Sequence, residues 1–151
     1  MRGKKTITVL TGGVFDIIHP GHIFLLEKCK RMGDRLVVVV ASDETVRRAK
    51  NRTPLHAARD RVKIVAALKP VDLALVGDAR DPFKIVRRVK PDIIVYGYDQ
   101  RIDGRIRARL RAEGLKTRII KLKEKLKEHI FKTSKIIRRA AEQHNKQHGK
   151  V

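Results

Sequence analysis

The run Leu36-Val37-Val38-Val39-Val40-Ala41 is apolar at every position. Side chains alternate across a strand, so an unbroken apolar run of this length suits a strand covered on both faces. Its β-branched valines favour the extended form. Sheets covered on both faces are those whose parallel strands are joined by helical crossovers, and the rest of the chain supplies the parts. Further strand-like runs lie at 7–11, 73–76, 92–96 and 117–122, with helical candidates at 20–32, 43–50, 56–68, 82–89 and 104–113 between them. This alternation predicts one doubly wound α/β domain around a five-stranded parallel sheet.

The pattern changes after Leu122. Residues 121–128 read as a charged loop or short helix, and 133–143 as a last helix. We therefore expect the domain to occupy 1–143 and residues 144–151 to form a disordered basic tail. His144 and His148 in that tail read as solvated, because no other ligand cluster accompanies them. The length of 151 residues suits a single core. No apolar stretch approaches the roughly 20 residues that span a bilayer, and no signal-peptide core opens the chain. Lone Cys29 offers neither a disulfide nor a metal framework. A cytoplasmic protein is the expectation.

The net charge of +21 invites two readings. Lysine and arginine neutralise nucleic-acid phosphates, and they also draw in small anionic substrates such as nucleotides. With no Trp, 4 Phe and 2 Tyr, the chain lacks the aromatics of a single-strand stacking platform. Nucleic-acid binding is thus the lesser reading.

The chemistry concentrates where the first strand meets the first helix. Thr11-Gly12-Gly13 ends the strand, Pro20 stands at a suitable first helical position, and His19 and His22 lie within one turn of that helix start. In an open α/β sheet, ligands bind at the carboxyl ends of the strands near the switch in strand order. Gly12 and Gly13 permit positive φ and close backbone approach. The helix N-terminus adds free amides and positive dipole. Protonated histidines would add charge-assisted hydrogen bonds to phosphate. The spacing is neither the dinucleotide glycine fingerprint nor a Walker lysine loop.

The segment Gly13-x-Phe15-Asp16-x-x-His19-x-Gly21-His22 resembles the H-x-G-H signature of the cytidylyltransferase-like nucleotidyltransferases. The similarity extends from about residue 7 to residue 139. Within that superfamily the chain is most similar to the archaeal FAD synthases, through residues 15–22, Asp43-Glu44-Thr45-Val46, residues 67–72 and residues 91–100. Glycerol-3-phosphate cytidylyltransferases share the first two segments more loosely. The resemblance implies a Rossmann-like fold and transfer of a nucleoside monophosphate from a triphosphate to a phosphate-bearing acceptor, with Mg²⁺ or another divalent cation and release of pyrophosphate. ATP and FMN are the favoured substrates. CTP with a glycerol 3-phosphate-type acceptor is the alternative within the class, and a basic nucleic-acid-binding protein on the same fold is the alternative outside it. Relatives of this kind are often homodimers.

Carried over residue by residue, the resemblance makes His19 and His22 catalytic, holding the phosphates and the charge that builds at the α-phosphorus. Gly13, Val14, Phe15, Pro20 and Gly21 would line the phosphate turn. Asp16 would anchor that turn or assist Mg²⁺, with a helix-entry cap as the plain alternative. Asp43 would face the acceptor, or simply cap a helix. Arg61 would reach phosphate, or be a solvated helix charge. Gly97, Asp99 and Gln100 would contact base and ribose, Asp99 foremost, with a turn-forming role as the alternative. Thr133 and Ser134 would grip the β- and γ-phosphates at a helix start, or serve as a plain cap. Three departures stand out. Val14 replaces a small hydroxyl residue of relatives. The arginine before the C-terminal motif is unmatched, leaving Lys127 or Lys132 as a point charge. The C-terminal cysteines of archaeal FAD synthases are missing, which bears on the flavin rather than on the reaction class.

Overall fold

A computed structural model describes residues 3, 5–124 and 132–149 of the chain. Strands β1 (Thr8–Gly13), β2 (Arg35–Val40), β3 (Leu73–Val76), β4 (Ile93–Tyr96) and β5 (Arg118–Lys121) alternate with helices α1 (Pro20–Lys30), α2 (Asp43–Lys50), α3 (Ala58–Ala66), α4 (Lys84–Val89) and α5 (Ile106–Ala112). All strand pairs are parallel, in the order β3-β2-β1-β4-β5. The order reverses between β1 and β4, so the crevice at their carboxyl ends is the switch point where such sheets bind ligands.

The two-residue period of the strands divides the core into two layers. Val9, Leu36, Val38, Val40, Ile93 and Val95 pack with Leu26 of α1 and Val65 of α3. The alternate positions Leu10, Val37 and Ile94 pack with Ile85 and Val86 of α4 and with Ile106 and Leu110 of α5. The all-apolar run is therefore covered on both faces, as its composition requires. At the opposite, amino end of the sheet, carboxylates finish the strands. Asp34, Asp92 and Asp72 accept the backbone N–H of Ile7, Thr8 and Leu36 at 2.8, 2.9 and 2.6 Å.

A last helix, α6 (Thr133–His148), carries no buried residue. It runs past Gln143, so residues 144–148 continue the helix where a disordered tail was expected. Residues 122–124 form no helix, and the remainder of the charged segment, Lys127 included, lies outside the described residues. Among the described residues no helix is long and apolar enough to cross a membrane.

Candidate active site

The turn between β1 and α1 departs from the sequence expectation in how its glycines work. Neither Gly12 nor Gly13 has positive φ; the left-handed residue is Phe15, at φ 52°. Such a conformation is strained for a side chain of this size and persists only where surrounding contacts hold it. Gly13 supplies one of those contacts by having no side chain, since a Cβ there would lie 2.9 Å from the Phe15 ring. Phe15, 1% exposed, folds back into that space.

Phe15 in turn supports the histidines. Its ring centroid lies 4.9 Å from that of His22, and the His22 ring stacks on His19 at 3.7 Å with 22° between planes. His19 is the N-cap residue of α1, in extended backbone, with Pro20 first in the helix. The two rings are thus fixed at the positive end of α1 by a stack running Gly13, Phe15, His22, His19. His22 Nδ1 is buried with no hydrogen-bond partner among the described residues. A buried polar atom left in this way is costly unless a ligand or solvent group meets it.

Burial pushes the His22 imidazole down to about 3, and the neighbouring His19 adds to the effect. Burial also lowers His19, against the opposing pull of the Asp99 carboxylate. Burial therefore favours the neutral form of both rings over the protonated form that would donate charge-assisted hydrogen bonds. Two imidazoles stacked this closely and shielded from water cannot both hold a proton at little cost. Each neutral ring retains one N–H to donate.

Asp16, 2% exposed, neither caps α1 nor faces outward. Its carboxylate accepts from Arg52 Nη1 at 2.7 Å, from the Leu55 N–H at 2.9 Å and from the His56 N–H at 3.0 Å. The Asp16 carbonyl meets His56 Nδ1 at 3.0 Å. Burial opposes its charge, but Arg52 and the two amides outweigh burial and hold the carboxyl below the usual range. Asp16 thus ties the β1–α1 turn to the α2–α3 connection.

Arg61 performs a parallel task from α3. Its side chain is fully buried. Nε donates to the His56 carbonyl at 2.9 Å, Nη1 to the Val14 carbonyl at 2.7 Å and Nη2 to Asp43 Oδ1 at 2.7 Å. Asp43 Oδ1 also accepts the Ala58 N–H at 2.9 Å. Neither sequence alternative for Arg61 describes this arrangement, because the guanidinium is spent inside the fold. Asp43 is the first residue of α2 and not its cap; Ser42 is the cap, accepting from the Thr45 N–H. Arg52 and His56 escaped the sequence reading entirely. The burial of Arg61 had a signal, since it stands one helical turn before Val65 on the buried face of α3.

Across the switch point, Gln100 braces β4 against β1. Its Nε2 donates to the Gly12 carbonyl at 2.7 Å, and its Oε1 accepts the Gly97 N–H at 2.6 Å. Gln100 and Gly97 are therefore internal supports, whereas Asp99 is exposed and close enough to act on His19. Pro20 is exposed and Gly21 half-buried beside the pair. Thr133 and Ser134 form the first turn of α6 with no side-chain cap at its N-terminus. They make no hydrogen bond to the β1–α1 turn among the described residues. Lys132 precedes them, and Lys127 lies outside the described residues.

Known proteins are similar to this chain in sequence and fold. The cytidylyltransferase-like family model matches residues 10–139. FAD synthase of Pyrococcus abyssi is 43% identical over 94% of this chain and 97% of its own length. FAD synthase of Thermococcus onnurineus is 45% identical over 93% and 95%, and that of Methanothermobacter thermautotrophicus 46% identical over 87% and 89%. Among solved structures, the lipopolysaccharide core biosynthesis protein of Thermoplasma volcanium superposes with a TM-score of 0.76 at 40% identity. That match covers 81% of this chain and 99% of that one. With the parallel sheet, its switch point and the stacked histidines at the head of α1, these likenesses establish that the chain belongs to the cytidylyltransferase-like family.

Proposed function

We propose that this protein is an adenylyltransferase that joins the AMP part of ATP to the phosphate of FMN, forming FAD and pyrophosphate. The observation that carries the reading is the stacked His19–His22 pair, buttressed by Phe15 at the positive end of α1. The near full-length likeness to FAD synthases selects the substrates within the reaction class.

In this reading an FMN phosphate oxygen attacks the α-phosphorus of ATP. The bond from that phosphorus to the bridging oxygen breaks, and the electron pair leaves with pyrophosphate. Such a displacement needs alignment and charge stabilisation more than a nucleophilic side chain. The two imidazoles donate N–H groups to phosphate oxygens, and these bonds strengthen as charge moves toward the leaving group. A triphosphate brings negative charge to rings whose proton affinity burial had depressed. Its binding therefore favours proton uptake by the pair, and affinity for ATP rises as pH falls. Arg61 and Asp16 act through the backbone, holding Val14 and Phe15 where their amides line the phosphates. Asp99 contacts the ribose or base beside His19. Thr133 and Ser134, with Lys132 before them, contact the β- and γ-phosphates.

A divalent cation fits this site as a companion of the triphosphate. Mg²⁺ is commonly held by phosphate oxygens with one or two carboxylates, so the donor set needs no dedicated cage. In this reading Asp99, whose charge acts on His19, would share it, since Asp16 is engaged by protein donors. When bound, the cation neutralises charge on the leaving pyrophosphate.

The test is pyrophosphate release from ATP and from CTP, each paired with FMN and with glycerol 3-phosphate. Release with ATP and FMN alone is expected. Release with CTP and glycerol 3-phosphate would replace this reading by the cytidylyltransferase alternative. Steep salt-dependent RNA binding with no release from any pair would remove the enzyme reading altogether.

A further inference from the structure

Under α4 and α5 lies an apolar hollow of about 280 Å³, with Leu10, Val86 and Ile106 in its walls. The outward surface of the same two helices is of another kind. Residues 84–90 and 104–116 carry 6 arginines and 3 lysines against 1 acid, whereas the rest of the chain carries 13 arginines and 15 lysines against 15 acids. All of these basic residues except half-buried Arg87 are exposed. Neighbouring acids occupy a few of them. Asp78 pairs with Lys84 at 2.9 Å, Asp81 with Arg87 and, at 3.5 Å, with Arg109, and Glu113 with Arg87 at 3.2 Å. Arg88, Lys90, Arg107, Arg111 and Lys116 have no acidic partner among the described residues.

This charge works against the helices that bear it. Lys84 and Arg88, Arg105 and Arg109, and Arg107 and Arg111 stand four residues apart, where like charges destabilise a helix. Neither helix has an acid in its first turn, and Lys84 and Arg105 stand at the positive ends of the dipoles instead. The histidines lie against α1 on the other side of the sheet. Charge that costs the fold stability and lies away from the reacting phosphates fits an anion from outside.

We propose that the α4–α5 surface binds the phosphate backbone of double-stranded nucleic acid, an activity separate from adenylyl transfer. The surface chemistry selects that partner among anions. Arginine's planar fork meets two phosphate oxygens at once, which lysine cannot do, and on these helices, unlike the rest of the chain, arginine outnumbers lysine. Single strands need aromatic side chains to stack on, and an anionic bilayer that takes up an amphipathic helix needs apolar ones to bury. The surface has neither. Phe83 is buried, and the exposed large apolar residues, Leu55, Ile64, Val76 and Tyr98, lie outside both helices. A paired backbone asks only for positive charge and donors.

Full-length protein titrated into labelled duplexes of unrelated sequence, one RNA and one DNA, over a range of salt tests the surface by fluorescence anisotropy. Binding of either duplex is expected, with log K falling linearly with log salt, and the two arms tell RNA from DNA. Arg88→Gln, Arg107→Gln and Arg111→Gln combined should weaken that binding at least about tenfold and flatten the salt slope by about 2–3, roughly one per lost phosphate contact. Pyrophosphate release from ATP and FMN should be unchanged in that variant. Arg138→Gln, Arg139→Gln and Lys146→Gln combined remove three charges from α6 instead, and should weaken duplex binding less than about twofold. Equal weakening by the two triple variants would overturn the surface, because binding would then follow net charge alone. Tighter binding to a single strand of the same length, or to vesicles of anionic lipid, would overturn the partner. A wild-type protein that binds no duplex at low salt would overturn the proposal whatever its activity, whereas absence of pyrophosphate release would overturn the adenylyltransferase reading alone.

Discussion

The two sides of the switch point solve opposite problems. On the α1 side, charge and backbone polarity are buried and engaged, with His22 Nδ1 left for a ligand. Asp16 and Arg61 are inside the protein, and between them they fasten the turn that bears Val14 and Phe15. On the α4–α5 side, aliphatic side chains stop short of filling the space between sheet and helices. The first side is rigid because any movement would strand a buried charge, which is expensive. The second is a preformed apolar chamber, which asks only for volume and shape. Phosphate chemistry needs the former, and an apolar group is received by the latter. The fold provides both around Gly12.

If that contrast is right, the two sides should fail differently when altered. The largest effect expected is from Arg61→Met, which leaves Asp43 and the carbonyls of Val14 and His56 without their donor. Chemical denaturation should show a loss of about 3–5 kcal/mol, the range for breaking a buried charged pair. A loss under about 1 kcal/mol would mean that water replaces the guanidinium and that the α1 side is less rigid than described.

Next in size is Gly13→Ala, whose methyl group would collide with the Phe15 ring. A cost of about 1–3 kcal/mol is expected from overpacking. Turnover should fall as well, because the displaced ring is the one supporting His22. Normal turnover in a destabilised variant would separate the aromatic stack from the chemistry.

Acid should act on the same side. Both imidazoles sit below their ordinary value in the folded protein, with His22 at about 3 against 6.5 for the free group. The unfolded chain therefore binds more protons below pH 6.5, and stability present above that pH is lost as pH falls toward 3. About 2 kcal/mol by pH 4 is expected from His22, less than full linkage because the ring is partly solvated. A His22→Asn variant should lack that portion of the acid loss. Superimposable pH–stability curves would show that the ring titrates normally. The smallest effect belongs to Ser42→Ala, which removes a helix cap from neither side proper. About 1 kcal/mol of stability should go and kinetic constants should stay.

These expectations also mark what the amino-acid order discloses. The sheet, its order of elements and the histidine pair were legible because each rests on local periodicity or adjacency, as Leu36–Ala41 and His19-Pro20-Gly21-His22 show. The brace between Asp16 and the 52–56 segment was not, since it joins residues some forty positions apart through backbone groups. Arg61 was read as reaching phosphate or as a solvated helix charge, although its spacing from Val65 placed it on the buried face. Composition suggested a solvated arginine, and tertiary hydrogen bonding overrode it. The positive φ expected at a glycine fell on Phe15, because the ring found room over Gly13. The hollow was invisible for another reason. Leu10, Val86 and Ile106 each read as ordinary core, and only their failure to close the gap makes a chamber.

The central claim is that the stacked histidines act on the transferring phosphoryl group and do not merely hold substrate. The direct measurement is FAD formation from ATP and FMN by His22→Asn against wild type, with kcat and KM resolved and folding checked by thermal denaturation. The account predicts a kcat lower by about 10²–10³-fold, the usual cost of a lost transition-state donor, with KM for FMN little changed. A variant that forms FAD at the wild-type rate would contradict it.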